Sequence, residues 1–395
     1  MRIQDTIYLD HQSTTPLDSR ILAEMIPYLE CGFGNPHSAD HAVGWRAARA
    51  VEGAAARIAG LIGADSDEIV FTSGATESNN LALLGLGRFA AGGKRRRILV
   101  SAIEHKCVLA AARVLREQSR YEVELLPVDD NGYLSLPALE ATLDNNVLMV
   151  SVMAVNNEIG TIQDIKAIHD IVSAHGALFH CDASQAPCAI DLDNTAVLAD
   201  LISLSGHKIY GPKGIGALYM RRDLQDRVEP LIYGGGQQAG LRSGTLPVPL
   251  CIGMAAAATL AASEEGKIRR EAVRRRRDRF VHMVTALSWP IALNGPRGEG
   301  RHPGNANLRF CGFSAHEILG ALQPRLAAST GSACASGVPE PSHVLKAIGL
   351  SSDDAESSIR FSLGQHTTDA DVDDAVALID DALSRLARVE LVRTA

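Results

Sequence analysis

The chain has 395 residues, 46% of them hydrophobic and 21% charged, with a formal charge of -8. That length exceeds one ordinary core and predicts two domains of unequal size, while the negative balance argues against general nucleic-acid binding. No apolar run is long enough to span a bilayer, and the N-terminus enters an apparent strand without a signal or transit segment, so a cytoplasmic protein is expected. Seven cysteines, at 31, 107, 181, 188, 251, 311 and 334, form no CxxC pair, which predicts free thiols and no zinc site.

Taken in order, Ile7 to Asp18 reads as a short strand followed by the polar turn HQSTTPLD. A helix is predicted over Arg20 to Leu29, then the loop GFGNPHS, whose Asn35 is a candidate site residue, then an alanine-rich amphipathic helix over Trp45 to Ile62. In EIVFTSGATESNNLALL a strand, Ile69 to Thr72, passes through Ser73, Gly74, Ala75 and Thr76 into a helix. The free amides of that first turn make an anion site. The turn lacks the phosphate-loop and dinucleotide fingerprints, so a small monophosphate fits it better.

Strand-like runs recur at Ile98 to Ser101, Val147 to Val155, Leu178 to Cys181, Leu201 to Ser205 and Ala217 to Met220, with helices such as Val108 to Gln118 and Ile165 to His175 between them. This alternation predicts a mostly parallel sheet covered by helices, with function at the carboxyl ends of the strands. Those ends present His105, Asn156 and Asn157, Asp182 and Gln185, and finally SGHK with Lys208. Taken singly, His105 is an ordinary core histidine, Asp182 a helix cap and Gln185 a surface residue. Together they match the needs of pyridoxal 5'-phosphate: a lysine for its aldehyde, amides and hydroxyls for its phosphate, a carboxylate for its ring nitrogen and a stacking partner for its face. A lysine at the end of a buried strand is partly desolvated, which lowers its pKa and leaves a nucleophilic amine.

The stretches TSGATESNN, EHK, VNNEIG, CDASQ, SGHKIYGPKGIGALY, LRSGT, GSAC and SSIRFSLG, in this order, resemble those of the cysteine desulfurases of iron-sulfur cluster assembly and nitrogenase maturation, within the class V aminotransferase group. The likeness runs from Tyr8 to about Val372. It implies the type I fold of pyridoxal phosphate transferases, an α/β architecture with a mostly parallel seven-stranded sheet and a smaller α+β domain. The expected division is 17–258 for the large domain and 1–16 with 259–395 for the small one.

Residue by residue, the resemblance makes Lys208 the lysine that carries the cofactor, His105 its stacking partner and a proton shuttle, Asp182 the partner of the ring nitrogen and Gln185 that of the ring hydroxyl. Ala75, Thr76, Ser205 and His207 are expected at the phosphate, with Thr245 reaching it from a second subunit, which implies a homodimer with shared sites. Asn157 and Arg360 are expected to hold the carboxylate of L-cysteine. Lys213 is set aside because it sits inside a Gly/Pro turn.

Cys334, in a run of small residues that predicts a mobile loop, is expected to take the sulfur as a persulfide and pass it to an acceptor protein, either a scaffold or a sulfur carrier. A selenocysteine lyase of the same group is the alternative. Two departures from the family pattern stand out, His11, Gln12 and Ser13 after Asp10, and Gln238 with Ala239 in the run GGGQQAG. The chain also ends without the extended tail by which some relatives bind a scaffold. The basic run KIRREAVRRRRDR is expected to be a long surface helix, with a docking face for an acidic acceptor as the lesser reading.

Overall fold

A computed structural model describes residues 1–330 and 341–394; Cys334 lies outside the described residues. The chain opens with a hairpin, β1 (Arg2–Ile3) and β2 (Thr6–Tyr8). A seven-stranded sheet follows from β3 (Ile69–Thr72), β4 (Arg97–Ser101), β5 (Glu122–Leu126), β6 (Val147–Ser151), β7 (Leu178–Asp182), β8 (Leu201–Ser205) and β9 (Gly216–Met220). A three-stranded sheet of β10 (Ile291–Leu293), β11 (Asn305–Phe310) and β13 (Ser358–Ser362) forms later, while the short β12 (Leu326–Ala327) returns to pair with β2.

The large sheet has the order β3-β9-β8-β7-β6-β4-β5. Strands β5, β4, β6, β7 and β8 run parallel, and β9 runs antiparallel to both β8 and β3. Two reversals restore direction, so β3 points the same way as β8. Its carboxyl end therefore delivers Ser73–Thr76 to the edge that also receives the residues after β4, β6, β7 and β8.

Parallel strands covered on both faces are continuous apolar runs, since successive side chains go to opposite sides. Ile98 and Val100 of β4 join the cluster under the helix Lys106–Ser119, while Leu99 joins the cluster on the other face with the helix Ala42–Ile62. The strand β5 is absent from the sequence reading because Glu122 and Glu124 break its apolar pattern, as befits an edge. The run from Val147 leaves the regular strand at Ser151, although Val152 and Ala154 still donate to the carbonyls of His180 and Asp182 on the neighbouring strand.

A separate core surrounds β11 and β13, where the ring of Phe361 lies 5.2 Å from that of Phe280 and 6.3 Å from that of Phe310. Ile7 and Leu9 complete it from the N-terminal segment. The basic run lies in the helix Glu264–Thr285, as expected for a surface helix. Its cations are answered within the chain: Lys267 by Glu264, Arg269 by Glu265, Arg270 by Asp191, Arg276 by Asp369 and Arg279 by Asp373. Arg277 is buried and donates to the carbonyls of His302 and Asn305. Little unbalanced charge is left for an acidic partner.

One close approach fixes the turn after β3. A Cβ on Gly216 of β9 would sit 2.6 Å from the Gly74 backbone and 2.8 Å from the Leu204 carbonyl oxygen. Backbone atoms on both sides leave no flexible neighbour to give way. We expect Gly216→Ala to lower stability by about 1–3 kcal/mol in urea unfolding, as overpacking does; an unchanged midpoint would contradict this contact.

Candidate active site

The aligned strand ends border a cavity of about 700 Å³ that Ala75, Thr76, His105, Asn157, Asp182, Gln185, Ser205, His207, Lys208 and Arg360 all line. Lys208 stands on a single 3-10 turn, Gly206–Lys208, directly after β8. Its ammonium donates to two backbone carbonyls, those of Gln12 at 2.6 Å and Ser13 at 2.8 Å. Burial and then the nearby Arg360 cation push its pKa from the ordinary 10.5 down to about 8. Lys213 is exposed on the rim.

At one end of the cavity Gly74, with φ of 153°, precedes the helix Ala75–Asn80, whose first-turn amides open onto the space. In the same cavity Ser205 Oγ is buried without a hydrogen-bond partner among the described residues. An orphaned hydroxyl and a helix's first-turn amides lining one cavity suit an anion. His207 Nδ1 contacts Thr14 Oγ1 at 3.1 Å, and burial, followed by the charges of Lys208 and Lys213, lowers its pKa to about 4, so the ring is neutral.

At the other end Asp182 is buried and held on both oxygens. Its Oδ1 accepts from the Ser184 backbone at 2.9 Å and from Ser184 Oγ at 2.5 Å, and its Oδ2 accepts from Asn79 Nδ2 at 2.7 Å. Gln185 Nε2 donates to the Gln12 carbonyl at 2.9 Å. His105 caps the helix Lys106–Ser119, its Nδ1 accepting from the Cys107 backbone at 3.2 Å, and burial lowers its pKa. Beside it Glu104 is fully buried, and its carboxyl is raised well above the usual range by burial and then by the charge of Asp182.

Arg360 reaches in from β13. Its guanidinium donates to Asp10 Oδ1, Ser13 Oγ and Ser329 Oγ at 2.8, 2.8 and 2.9 Å and to the Asn157 carbonyl at 2.9 Å. Its Nε is buried and has no partner among the described residues. One edge of the fork is therefore engaged while a donor remains unsatisfied, which suits a small carboxylate.

The structure does not bring every expected residue here. Asn35 is exposed outside the cavity, and its Oδ1 accepts from the His37 backbone at 2.9 Å. Thr245 is likewise exposed and outside the cavity of its own chain. Asn156 is fully buried and structural: its Oδ1 accepts from the amides of Glu158 and Ile159, and its Nδ2 donates to the Ile103 carbonyl. Conversely, Asn79, Cys107 and Ser13 line the cavity and escaped the sequence reading. Asn79 had a signal, lying one helical turn beyond Thr76.

The family profile described as aminotransferase class-V matches residues 7–375. The chain belongs to the class-V aminotransferase family. Within it, the chain is 48% identical over 383 residues to the cysteine desulfurase IscS of Rickettsia akari, across 97% of this chain and 92% of that one. Among solved structures it is similar to a NifS-like protein, with a TM-score of 0.88 and 34% identity over 97% of this chain and all of that one (100%). It is also similar to SspA in complex with cysteine, with a TM-score of 0.79 and 36% identity over 91% and 99% of the two chains.

This class-V aminotransferase places its lysine so that the amine loses its proton near pH 8, below the ordinary 10.5. In the cofactor-free protein, competitive acetylation of Lys208, followed by peptide mapping, is expected to rise with a midpoint near pH 8. A midpoint near the ordinary 10.5 would show that neither burial nor Arg360 acts on the amine.

Proposed function

We propose that the protein is a pyridoxal 5'-phosphate-dependent cysteine desulfurase, converting L-cysteine to L-alanine and passing the sulfur to an acceptor. The observation that carries this reading is the convergence in one cavity of a lysine with a lowered pKa, a doubly held carboxylate and an anion turn with the orphaned Ser205 hydroxyl. The names of the IscS relatives favour it over a selenocysteine lyase.

The donor set fits the cofactor. Ala75 and Thr76 amides with Ser205 and His207 would hold the phosphate, Asp182 the ring nitrogen, Gln185 the ring hydroxyl, His105 the ring face and Lys208 the aldehyde carbon. When bound, the cofactor supplies an electron sink that loosens bonds at the substrate's Cα and renders its sulfur electrophilic. Asp182, buried and held on both oxygens, would keep a proton on that ring nitrogen. Arg360 and Asn157 orient the substrate carboxylate. Lys208 Nζ takes the α-proton, its lowered pKa matching the operating range of a base. The thiolate of Cys334 attacks the substrate sulfur; the S–S bond forms as the Cβ–S bond breaks with its electron pair going to carbon, and protonation of that carbon frame ends in alanine.

A homodimer completes the reading. Thr245 sits at an exposed position, on a loop anchored by the Arg242–Glu77 ion pair, and would reach the partner's phosphate turn. Exposed Phe33, Trp45, Ile232 and Tyr233 supply apolar surface for such an association. The domain division at 17–258 and 1–16 with 259–395 is supported by the Phe361 cluster, whose members all fall in the second group. No helix among the described residues is long and apolar enough to cross a membrane, in keeping with the proposed cytoplasmic site of action, where the sulfur passes to a scaffold or sulfur-carrier protein.

Alanine and sulfide assays on purified variants test the reading. Lys208→Ala is expected to lose about 10³-fold or more in turnover, the scale of a missing general base. Cys334→Ala is expected to keep a cofactor absorbance that responds to L-cysteine while losing desulfuration. A colourless wild-type protein, or full desulfuration by Cys334→Ala, would contradict the proposal.

A further inference from the structure

The hydrogen bonds between Asp182 and His105 diverge from the Asn79 amide nitrogen, which donates to Asp182 on one side and to Cys107 on the other. An ionised carboxylate only accepts, so the 2.7 Å contact between Asp182 Oδ2 and the Asn79 amide fixes nitrogen at that end of the amide. The second hydrogen on the same nitrogen reaches Cys107 Sγ at 3.3 Å, which makes the sulfur an acceptor there. On its other side Sγ lies 3.0 Å from His105 Nδ1. That ring nitrogen already accepts the Cys107 backbone N–H at 3.2 Å, so it carries a lone pair and no proton. With no proton on Nδ1, this contact needs the thiol hydrogen between sulfur and nitrogen, so the one lone pair of Nδ1 is shared by the thiol and the backbone N–H. Thr76 also meets the sulfur, and burial raises the thiol pKa to about 11, which keeps that hydrogen in place at neutral pH.

We propose that Asn79 and Cys107 are positioning residues that tie His105 to Asp182 and hold the neutral imidazole with its proton on Nε2. Both are buried or half-buried in the cavity wall, and neither is needed as an acid, base or nucleophile. A ring held this way offers a hydrogen-bond donor at Nε2 and no basic nitrogen to the cavity. The amine of Lys208 is then the proton acceptor that faces the substrate. The groups around His105 are Asp182 and Glu158, which favour its charged form, and Lys208 and His343, which oppose it, and burial leaves the balance with the neutral ring. The consequence for turnover rests on the desulfurase reading, whereas the tautomer does not.

The test is nitrogen-15 NMR of the histidine-labelled holoenzyme, with His105 assigned by comparison with His105→Gln. A pyridine-type Nδ1 and a pyrrole-type Nε2 are expected at neutral pH; a pyrrole-type Nδ1 would overturn the proposal. In Cys107→Ala the backbone N–H still donates to Nδ1 but the side-chain donor is lost, so His105 should titrate about one pH unit higher, and Cys107→Ser, which restores a side-chain donor, should bring it back. The same alanine variant should lose about tenfold in kcat with KM within about twofold, and serine should recover most of it. An unmoved His105 titration in Cys107→Ala, or a serine variant no better than alanine, would also overturn it. A wild type that makes no alanine from cysteine counts against the desulfurase reading, and the NMR result then decides the tautomer by itself.

Discussion

The site depends on how the segment Asp10–Thr15 is fastened at its two ends. At one end, His11 and Gln12 donate from their backbones to the carbonyl and hydroxyl of Ser362 on β13. At the other, Thr15 donates from both its backbone and its hydroxyl to the His207 carbonyl. Between these anchors the carbonyls of Gln12 and Ser13 turn toward Lys208, and the Gln12 carbonyl is shared with Gln185. One short strap thus sets Lys208, Gln185 and, through Asp10 and Ser13, the guanidinium of Arg360. It also links the small sheet to the large one.

The same strap balances the charge. Two cations, Lys208 and Arg360, share one cavity, and each is costly to desolvate. Asp10 answers Arg360 directly, which leaves the lysine facing a partly neutralised neighbour, so its pKa is lowered first by burial and then by what remains of the Arg360 charge. Asp182 lies at the other end, where Ser184 and Asn79 hold it. The cavity therefore holds Lys208 with the Arg360–Asp10 pair, and the buried carboxylate of Asp182 apart from them. A ligand with phosphate and carboxylate groups and a cationic ring nitrogen complements this pattern.

Much of this was legible in the sequence because it depends on local patterns. Apolar runs separated by helical stretches marked both the strands and the polar side chains that follow their ends, and Lys208, Asp182 and His105 share one cavity with Arg360. The strap was not legible, since it works through carbonyls that any residue carries. His11, Gln12 and Ser13 registered only as departures. Gln238 was another, and its amide pairs with both the N–H and the carbonyl of Phe71, closing the free edge of β3. Asn79 and Cys107 were hidden for a different reason: each looks like an ordinary helix residue until the fold sets Asp182 beside them. Asn35, chosen for its glycine-rich loop, lies outside the cavity of its own chain, with its side chain engaged locally.

The account stands or falls on Lys208 as the residue that carries the cofactor. The most direct measurement is borohydride reduction of the holoenzyme reconstituted with pyridoxal 5'-phosphate, followed by peptide mass mapping. The account predicts the cofactor mass fixed on the peptide that holds Lys208, at that residue. Cofactor fixed on Lys213, or on no lysine of the cavity, would contradict it.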